Sequence, residues 1–263
     1  MEKISVLMGI YNCAETIDEA IESVQSQTYT NWELILCDDG STDGTYAKAC
    51  QYAKRDERIV VLKNDHNLGL NITLNNCLKK ATGEYIARMD GDDICVSDRF
   101  EKQVAFLEEY PDYSIVSSHM ILFDENGEWG RKQTKEAPSA EDVVCGSPIC
   151  HAPVMMRRAC MEAVNGYSVD KRMLRVEDVN LWIKLYAAGY RCYNIQEPLY
   201  CMRNDRNALN RRKYRYRINS TYARLKGCRD LNLGWKSYLK AFLPMMIGLI
   251  PAKIRYNLRR RMS

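Results

Sequence analysis

Apolar positions along the chain follow two alternating patterns. Short apolar runs occupy residues 4–10, 32–37 and 58–62, and a fourth lies within 83–94. Runs of this length, bounded by Gly, Asn or Asp, read as buried strands. Between them, apolar residues recur at helical spacing. Ile17, Ala20, Ile21 and Val24 form one stripe, and Leu70, Leu74, Cys77, Leu78 and Ala81 form another, closed by Gly83. A more polar helix runs to about Lys54, with Ser41, Thr42 or Asp43 as candidate N-caps. Strand and helix alternate in this way as far as residue 90. Parallel strands need crossovers of that length, so the pattern predicts an α/β layer around a largely parallel sheet.

Beyond residue 94 the rhythm loosens. Phe100, Val104 and Leu107 mark a helix that stops before Pro111, with Asp98 as its expected N-cap. Residues 113–123 predict a strand or two, 124–142 a polar hairpin and loop, and 152–156 a short strand. Residues 178–188 carry Leu181, Trp182 and Leu185 on one helical face, ended by Gly189. Two further short strands are expected at 191–195 and 199–202.

Charge divides the chain. Residues 1–202 hold 21 Lys and Arg against 32 Asp and Glu, whereas residues 203–263 hold 17 against 2. The overall +4 therefore conceals an acidic body and a basic tail. Such a tail suits a phosphate-bearing partner, either lipid headgroups or nucleic acid. Eleven cysteines lie scattered without a C-x-x-C pair, which points to free thiols in a reducing compartment. Three histidines offer little for a histidine-based metal site. The N-terminus starts directly on a strand pattern, so no signal peptide is expected.

Candidate chemistry gathers at strand ends. The run from Gly83 closes in Arg88-Met89-Asp90-Gly91-Asp92-Asp93, which places three carboxylates at a turn. Carboxylates so close repel one another, and a hard divalent cation with oxygen ligands relieves that repulsion. A solvated acidic turn is the plainer alternative. Asp38-Asp39 closes the second predicted strand in the same way. In parallel sheets ligands bind at the carboxyl ends of strands, so both acidic clusters should face one cleft.

Five segments then appear in order. They are Ser5-Val6-Leu7-Met8-Gly9-Ile10-Tyr11-Asn12, Leu36-Cys37-Asp38-Asp39-Gly40-Ser41-Thr42-Asp43-Gly44-Thr45, Asn67-Leu68-Gly69-Leu70, Gly83 to Asp93, and Glu177-Asp178-Val179-Asn180-Leu181-Trp182. Each alone is a weak signal, but together the five resemble the family 2 glycosyltransferases of GT-A fold, especially bacterial surface-polysaccharide enzymes. The resemblance covers roughly residues 3–203. It implies a Rossmann-like, mixed but mainly parallel sheet with helices on both faces. It also implies a catalytic domain over 1–205, with a nucleotide-sugar half to about 95 and an acceptor half from 96; the basic, partly apolar segment over 206–263 reads from its own composition as a helical tail.

The resemblance further implies roles. Ile10, Tyr11 and Asn12 would line the base, and Asp38 and Asp39 would hold the nucleoside of a nucleotide sugar, UDP-linked by expectation. Asp90 and Asp92 would hold Mn²⁺ or Mg²⁺ against the diphosphate, with Asp93 a ligand, a supporting group or only part of the turn. Glycine at 91 would let the backbone turn tightly. Asp178 would be the general base of an inverting transfer, beside Glu177; read from the residues alone, both acids equally suit a helix N-terminus. Arg88 pairs with the acidic turn or with phosphate, and His151 matches a position where relatives often carry His or is simply packed. Asn67 and Asn75 bond the donor or cap their loops. After the last strand, Met202-Arg203-Asn204 departs from the His- or Ser-rich loops common among relatives, so no ligand is carried over there. No Q-x-x-R-W motif occurs, so transfer of a single sugar to a growing or lipid-linked glycan is expected.

The apolar stretch 238–251 is shorter than a spanning helix needs and is interrupted by Lys240 and two prolines. Flanked by basic residues, it fits a segment lying in a membrane interface, which places the chain peripherally on the cytoplasmic face. Docking of this segment on the body of the protein is the alternative. Two other functions compete. A sugar-nucleotide-forming nucleotidyltransferase wants a Gly-rich basic loop after the first strand, and Met8-Gly9-Ile10-Tyr11-Asn12 supplies none. A nucleic-acid-binding protein would use the Arg/Tyr tail but meets an acidic body, so no nucleic-acid partner is expected.

Overall fold

The computed structural model describes residues 1–146, 148–204 and 213–249. In its first half, β1 (Ile4–Ile10), β2 (Trp32–Asp38), β3 (Ile59–Lys63) and β4 (Tyr85–Asp90) alternate with α1 (Ile17–Gln25), α2 (Thr45–Ala53) and α3 (Leu70–Leu78). These four strands pair in parallel in the order β3-β2-β1-β4. The sheet continues through the second half as β8 (Met155–Arg157), β6 (Ile115–Asp124), β9 (Cys192–Arg203) and β5 (Ile94–Cys95), with β7 (Gly127–Lys132) paired to β6. Here only β6 and β9 run parallel. The other pairings are antiparallel. The expected mixed sheet is thus parallel in one half and largely antiparallel in the other.

Period-two alternation along the strands builds two cores, one on each face. Ile4, Val6, Met8 and Ile10 of β1 pack with Ile17, Ala20, Ile21 and Val24 of α1 and with Phe100, Val104 and Leu107 of α4 (Arg99–Glu109). Leu7, Ile35 and Ile86 point the other way, toward Leu74 and Cys77 of α3 and Leu181, Trp182 and Leu185 of α7 (Glu177–Ala187). Buried parallel strands of this kind need apolar side chains on both faces. All eleven cysteines are free.

Several elements differ from the sequence expectation. The two short strands expected at 191–195 and 199–202 are one strand, β9, whose register against β6 shifts around Pro198. Proline lacks the N–H that a continuous ladder requires, so the pattern breaks while the strand continues. The segment 124–142 includes α5 (Ala140–Cys145), opened by a Ser139–Asp142 capping box. Another short helix, α6 (Arg158–Ala163), follows β8 directly. The N-cap of α2 is Gly44, not Ser41, Thr42 or Asp43, although the Asp43 carboxylate accepts the Thr45 N–H at 2.9 Å. Asp98 does sit at the N-cap of α4, but its side chain pairs with Lys102 at 3.0 Å instead of capping.

The C-terminal helices are built onto the same body. In α8 (Tyr214–Asp230), Ala223 and Cys228 are buried in the core that holds Leu181 and Trp182. Ala241 at the end of α9 (Trp235–Ala241) is fully buried as well. The apolar stretch from 238 is broken between α9 and α10 (Leu243–Leu249) at Phe242. Trp235 and Leu239 of α9, Phe242 between the helices, and Leu243, Met246 and Leu249 of α10 are exposed. Among the described residues no helix is long and apolar enough to cross a membrane.

One polar cluster ties the start of the parallel sheet together. Glu33 on β2 accepts hydrogen bonds from Ser5 Oγ at 2.6 Å, Lys3 Nζ at 2.7 Å and the Thr82 N–H at 2.7 Å. Ser5 Oγ in turn accepts the Gly83 N–H at 2.8 Å. Gly83 follows α3 after four intervening residues and serves close approach: a Cβ there would meet the Lys3 carbonyl oxygen at 2.5 Å and the Ser5 nitrogen at 2.7 Å. Burial opposes ionisation of Glu33, but bonds from Lys3, Ser5 and Thr82 outweigh it and hold the carboxyl down at about 2. A carboxyl depressed in the folded state stabilises the fold above its unfolded value, and that stability is lost as the pH falls toward 2. Urea unfolding of Glu33→Gln should therefore show a shallower acid limb. Between about pH 5 and about pH 2 it should lose roughly 2 kcal/mol less than wild type. Parallel acid limbs in the two proteins would remove Glu33 as the source.

Candidate functional site

The parallel register sets the site. Gly9 of β1 stands level with Cys37 of β2 on one side and Asp90 of β4 on the other. The chain reverses direction across the sheet at β1, so the loops after these strands part and leave a crevice at their carboxyl ends. A cleft of about 760 Å³ lies there. Its lining includes Ile10, Tyr11, Asn12, Asp39, Asn67, Asp90, Asp92 and Glu177. Eight of the residues singled out in the sequence thus share one concavity.

Asp38, Arg88, Asp93, His151 and Asp178 do not line it. Asp38 is fully buried, with one carboxylate oxygen on the Ser41 N–H at 3.1 Å and the other without a hydrogen bond among the described residues. Asp39, one residue on, accepts the Leu68 N–H at 2.8 Å, the Gly69 N–H at 2.9 Å and Asn64 Nδ2 at 2.9 Å. Asp39 therefore anchors the loop that carries Asn67 while lining the cleft. The β1–α1 loop is pinned to the β2–α2 loop. The Asn12 N–H donates to Ser41 Oγ at 3.0 Å, and Asn12 Oδ1 accepts the Thr42 N–H at 2.9 Å.

The acidic turn is the most strongly charged part. One ligand oxygen from each of Asp90, Asp92 and Asp93 lies within 4.8 Å of the others. Arg88, buried at the end of β4, is ion-paired with Asp90. Burial opposes the Arg88 charge, and Asp90 overrides it and holds the guanidinium protonated. Burial and then the Asp90 carboxylate push Asp92 up to about 6, though its side chain opens on the cleft. The same causes, with Asp92 added, push buried Asp93 up to about 8. A set of oxygen donors that protein cations leave under-neutralised fits a hard divalent ion. Gly91 sits in a tight space rather than an unusual turn: a Cβ would crowd Cys13 Sγ and Ile10 Cγ2, each at 3.0 Å.

Residues outside the acidic motif hold this turn. Asp93 accepts the Arg203 N–H at 2.7 Å, and Arg203 Nε donates to the Asp92 carbonyl at 3.0 Å. Arg203 lines the cleft and is also ion-paired with Glu19. Tyr200, fully buried on β9, accepts the Asp90 N–H at 3.1 Å. Over the Tyr200 ring lies Arg99, at 5.2 Å, whose Nη2 holds the Arg88 carbonyl at 2.9 Å. Burial draws the Arg99 pKa down. Arg175 and Tyr216 also line the cleft, from the segment before α7 and from α8. Arg175 has a left-handed backbone, φ 64°, which costs an arginine about 1 kcal/mol. No local pattern announced these two, because neither belongs to a periodic face.

Glu177 and Asp178 open α7, half-buried. Burial and then the Asp178 charge push the Glu177 carboxyl up. Asp178 Oδ1 accepts the N–H of Val179 at 2.8 Å. His151 is bonded to the Tyr167 hydroxyl at 2.8 Å and is held well below its ordinary value by burial and the Arg88 charge. Trp182 is core, edge-on to His151 at 5.7 Å. Asn75 bonds backbone: its Nδ2 donates to the Tyr167 carbonyl and its Oδ1 accepts the Tyr167 N–H, both at 2.8 Å. Asn71 adds a bond to the Ser168 carbonyl at 2.7 Å.

Known proteins match this chain along its length. It is 44% identical over 264 residues, covering 99% of the chain and 95% of the relative, to a protein named as a glycosyltransferase, EpsE of Bacillus subtilis (strain 168). It is 29% identical over 200 residues, 74% of each chain, to UDP-Glc:alpha-D-GlcNAc-diphosphoundecaprenol beta-1,3-glucosyltransferase WfaP of Escherichia coli. The structure of S. aureus TarS 1–349 in complex with UDP superposes with a TM-score of 0.72 at 17% identity, over 93% of this chain and 70% of that one. That likeness shows the GT-A fold that the motifs implied. The family model "Glycosyl transferase family 2" matches residues 5–163. With the cleft at the ends of β1, β2 and β4 and the relatives just described, the chain belongs to the family 2 glycosyltransferases.

Proposed function

We propose that the chain transfers a single sugar from a nucleotide diphosphate donor, UDP-linked, to a lipid-linked or growing surface glycan, with inversion and with a divalent metal. The observation that carries this reading is the meeting of Asp39, Asp90, Asp92 and Glu177 in one cleft. Relatives named for diphosphoundecaprenol acceptors and for UDP-glucose support the substrate classes. A neighbour named as a mannosyltransferase in complex with GDP-Man and Mn²⁺ matches with a TM-score of 0.63 over 98% of this chain and 79% of that one.

Ile10, Tyr11 and Asn12 form the floor and wall on which the nucleoside lies, and the loop at Asn67, anchored by Asp39, forms its opposite edge. Asp38 then acts from below by fixing the backbone of the β2–α2 loop. Asp90 and Asp92 would hold Mn²⁺ or Mg²⁺, with Asp93 behind them. When bound, the ion supplies positive charge to the diphosphate as it leaves. Arg88 orients Asp90 through their ion pair. Asp178 takes the proton of the acceptor hydroxyl as that oxygen forms its bond to the anomeric carbon; the bond to the diphosphate oxygen breaks with its electron pair. One displacement inverts the centre, so no second carboxylate nucleophile is needed. Glu177 is then the cleft-lining neighbour that raises local negative charge around the base.

Exposed apolar side chains on α9 and α10, beside Lys236 and Lys240, extend the proposal to the membrane surface. A lipid-linked acceptor is reached most directly by an enzyme lying on the cytoplasmic face of the plasma membrane.

Asp92→Asn should lower metal-dependent donor turnover by about a hundredfold or more while leaving the melting temperature within a few degrees. Near-wild-type turnover at saturating Mn²⁺ or Mg²⁺ would remove the metal assignment. Asp178→Asn should bind UDP like wild type and transfer sugar about a thousandfold more slowly. If Glu177→Gln shows that loss and Asp178→Asn does not, the base is Glu177. Leu239→Glu combined with Met246→Glu should abolish co-sedimentation with anionic liposomes without affecting turnover of a soluble acceptor. Unchanged sedimentation would take the membrane contact away from α9 and α10.

A further inference from the structure

Among the described residues the cleft is rich in carboxylates and poor in cations. Glu15, Asp39, Asp43, Asp90, Asp92 and Glu177 line it, and the basic residues in its lining are Arg175 and Arg203. Arg203 is already engaged, by Glu19, by the Asp92 carbonyl and by the face of Phe123 at 4.6 Å. Arg175 is exposed and, among the described residues, has neither a hydrogen bond nor an ion pair. It is near enough to Glu177 for its charge to be felt there.

Its backbone adds an independent observation. Four described residues other than glycine have a left-handed backbone: Asn12, Asn165, Asn232 and Arg175. Three are asparagine, whose short amide side chain tolerates that region. Arginine gains nothing locally from it. A strained backbone that presents an unpartnered guanidinium to the substrate cleft is what a ligand-holding residue looks like before its ligand arrives.

We propose that Arg175 is an anion ligand of the cleft and binds a diphosphate group of a substrate. The proposal rests on the glycosyltransferase reading of the cleft and deepens it. A planar guanidinium matches two oxygens of a phosphate at once, which a point charge does not. Two diphosphates are within the chemistry of the reaction: that of the nucleotide donor, and that of an acceptor carried on a lipid diphosphate. Asp90 and Asp92 stand at the end of β4 in the donor half, whereas Arg175 leads into α7 in the acceptor half.

The test uses the full chain with Mg²⁺ and titration calorimetry. Inorganic pyrophosphate should bind Arg175→Gly about tenfold more weakly than wild type. The same variant should melt at or above the wild-type temperature, because glycine adopts this backbone without strain. Arg175→Lys, which keeps the charge but not the fork, should recover part of the affinity. Equal pyrophosphate affinity in wild type and Arg175→Gly overturns the proposal, as does a wild type that binds no pyrophosphate. UDP and a short-chain prenyl diphosphate, titrated separately, identify the source. Weakening for UDP alone assigns the donor diphosphate, weakening for the prenyl diphosphate alone assigns the acceptor's, and weakening for neither overturns it. A wild type that binds pyrophosphate but not UDP would sink the UDP-donor reading and leave the role of Arg175 standing.

Discussion

Charge repulsion at the end of β4 is the constraint around which the rest is arranged. Asp90, Asp92 and Asp93 crowd within 4.8 Å, and nothing in the turn itself neutralises them. The structure answers from three directions. Arg88 reaches Asp90 along its own strand, Arg203 reaches Asp93 and the Asp92 carbonyl from the end of β9, and Tyr200 takes the Asp90 N–H from below. Arg99, buried with no carboxylate partner among the described residues, braces the Arg88 carbonyl. Fixing a cluster of like charges costs stability, and the fold meets that cost with buried arginines that would themselves be unfavourable elsewhere. The turn is held rigid, while its charge is left incompletely cancelled on the cleft side.

Much of this was legible in the sequence, for a definable reason. Buried parallel strands announce themselves as apolar runs, so β1 to β4 and the stripes of α1 and α3 could be read off directly. Once four such strands are known to be parallel, carboxylates at their ends must meet, and Asp39, Asp90 and Asp92 do share the cleft. Between Asp38 and Asp39 the sequence offers no choice. The structure puts the last residue of β2 under the sheet surface and the next one in the cleft. In the second half the signal weakens because strands are antiparallel, short or exposed. β7 is mostly solvent-facing, and Pro198 splits the pattern of β9 without ending it. Arg175 and Tyr216 were invisible because reaching the cleft depended on how distant segments pack, not on any local period.

Helix α3 is also tied to the segment that follows α6. Asn75 of α3 grips both backbone groups of Tyr167, as a neighbouring strand would, and Asn71 takes the Ser168 carbonyl. Tyr167 in turn holds His151 beneath the cleft. Helix α3 thereby sets the position of the loop that leads toward Arg175 and Glu177.

That amide-to-backbone clasp bears on how such enzymes can be recombined. In the sequence, residues 1–95 and 96–203 read as two separable halves. A chimaera that joined them from two different relatives would break at this seam unless position 75 still offered a donor and an acceptor to the backbone at 167. Gly166 tightens the requirement, since a Cβ there would meet Asn75 Oδ1 at 2.5 Å. Grafting one half onto another is therefore a matter of carrying a matched lock of at least two helix positions and one glycine, not of cutting at the apparent boundary.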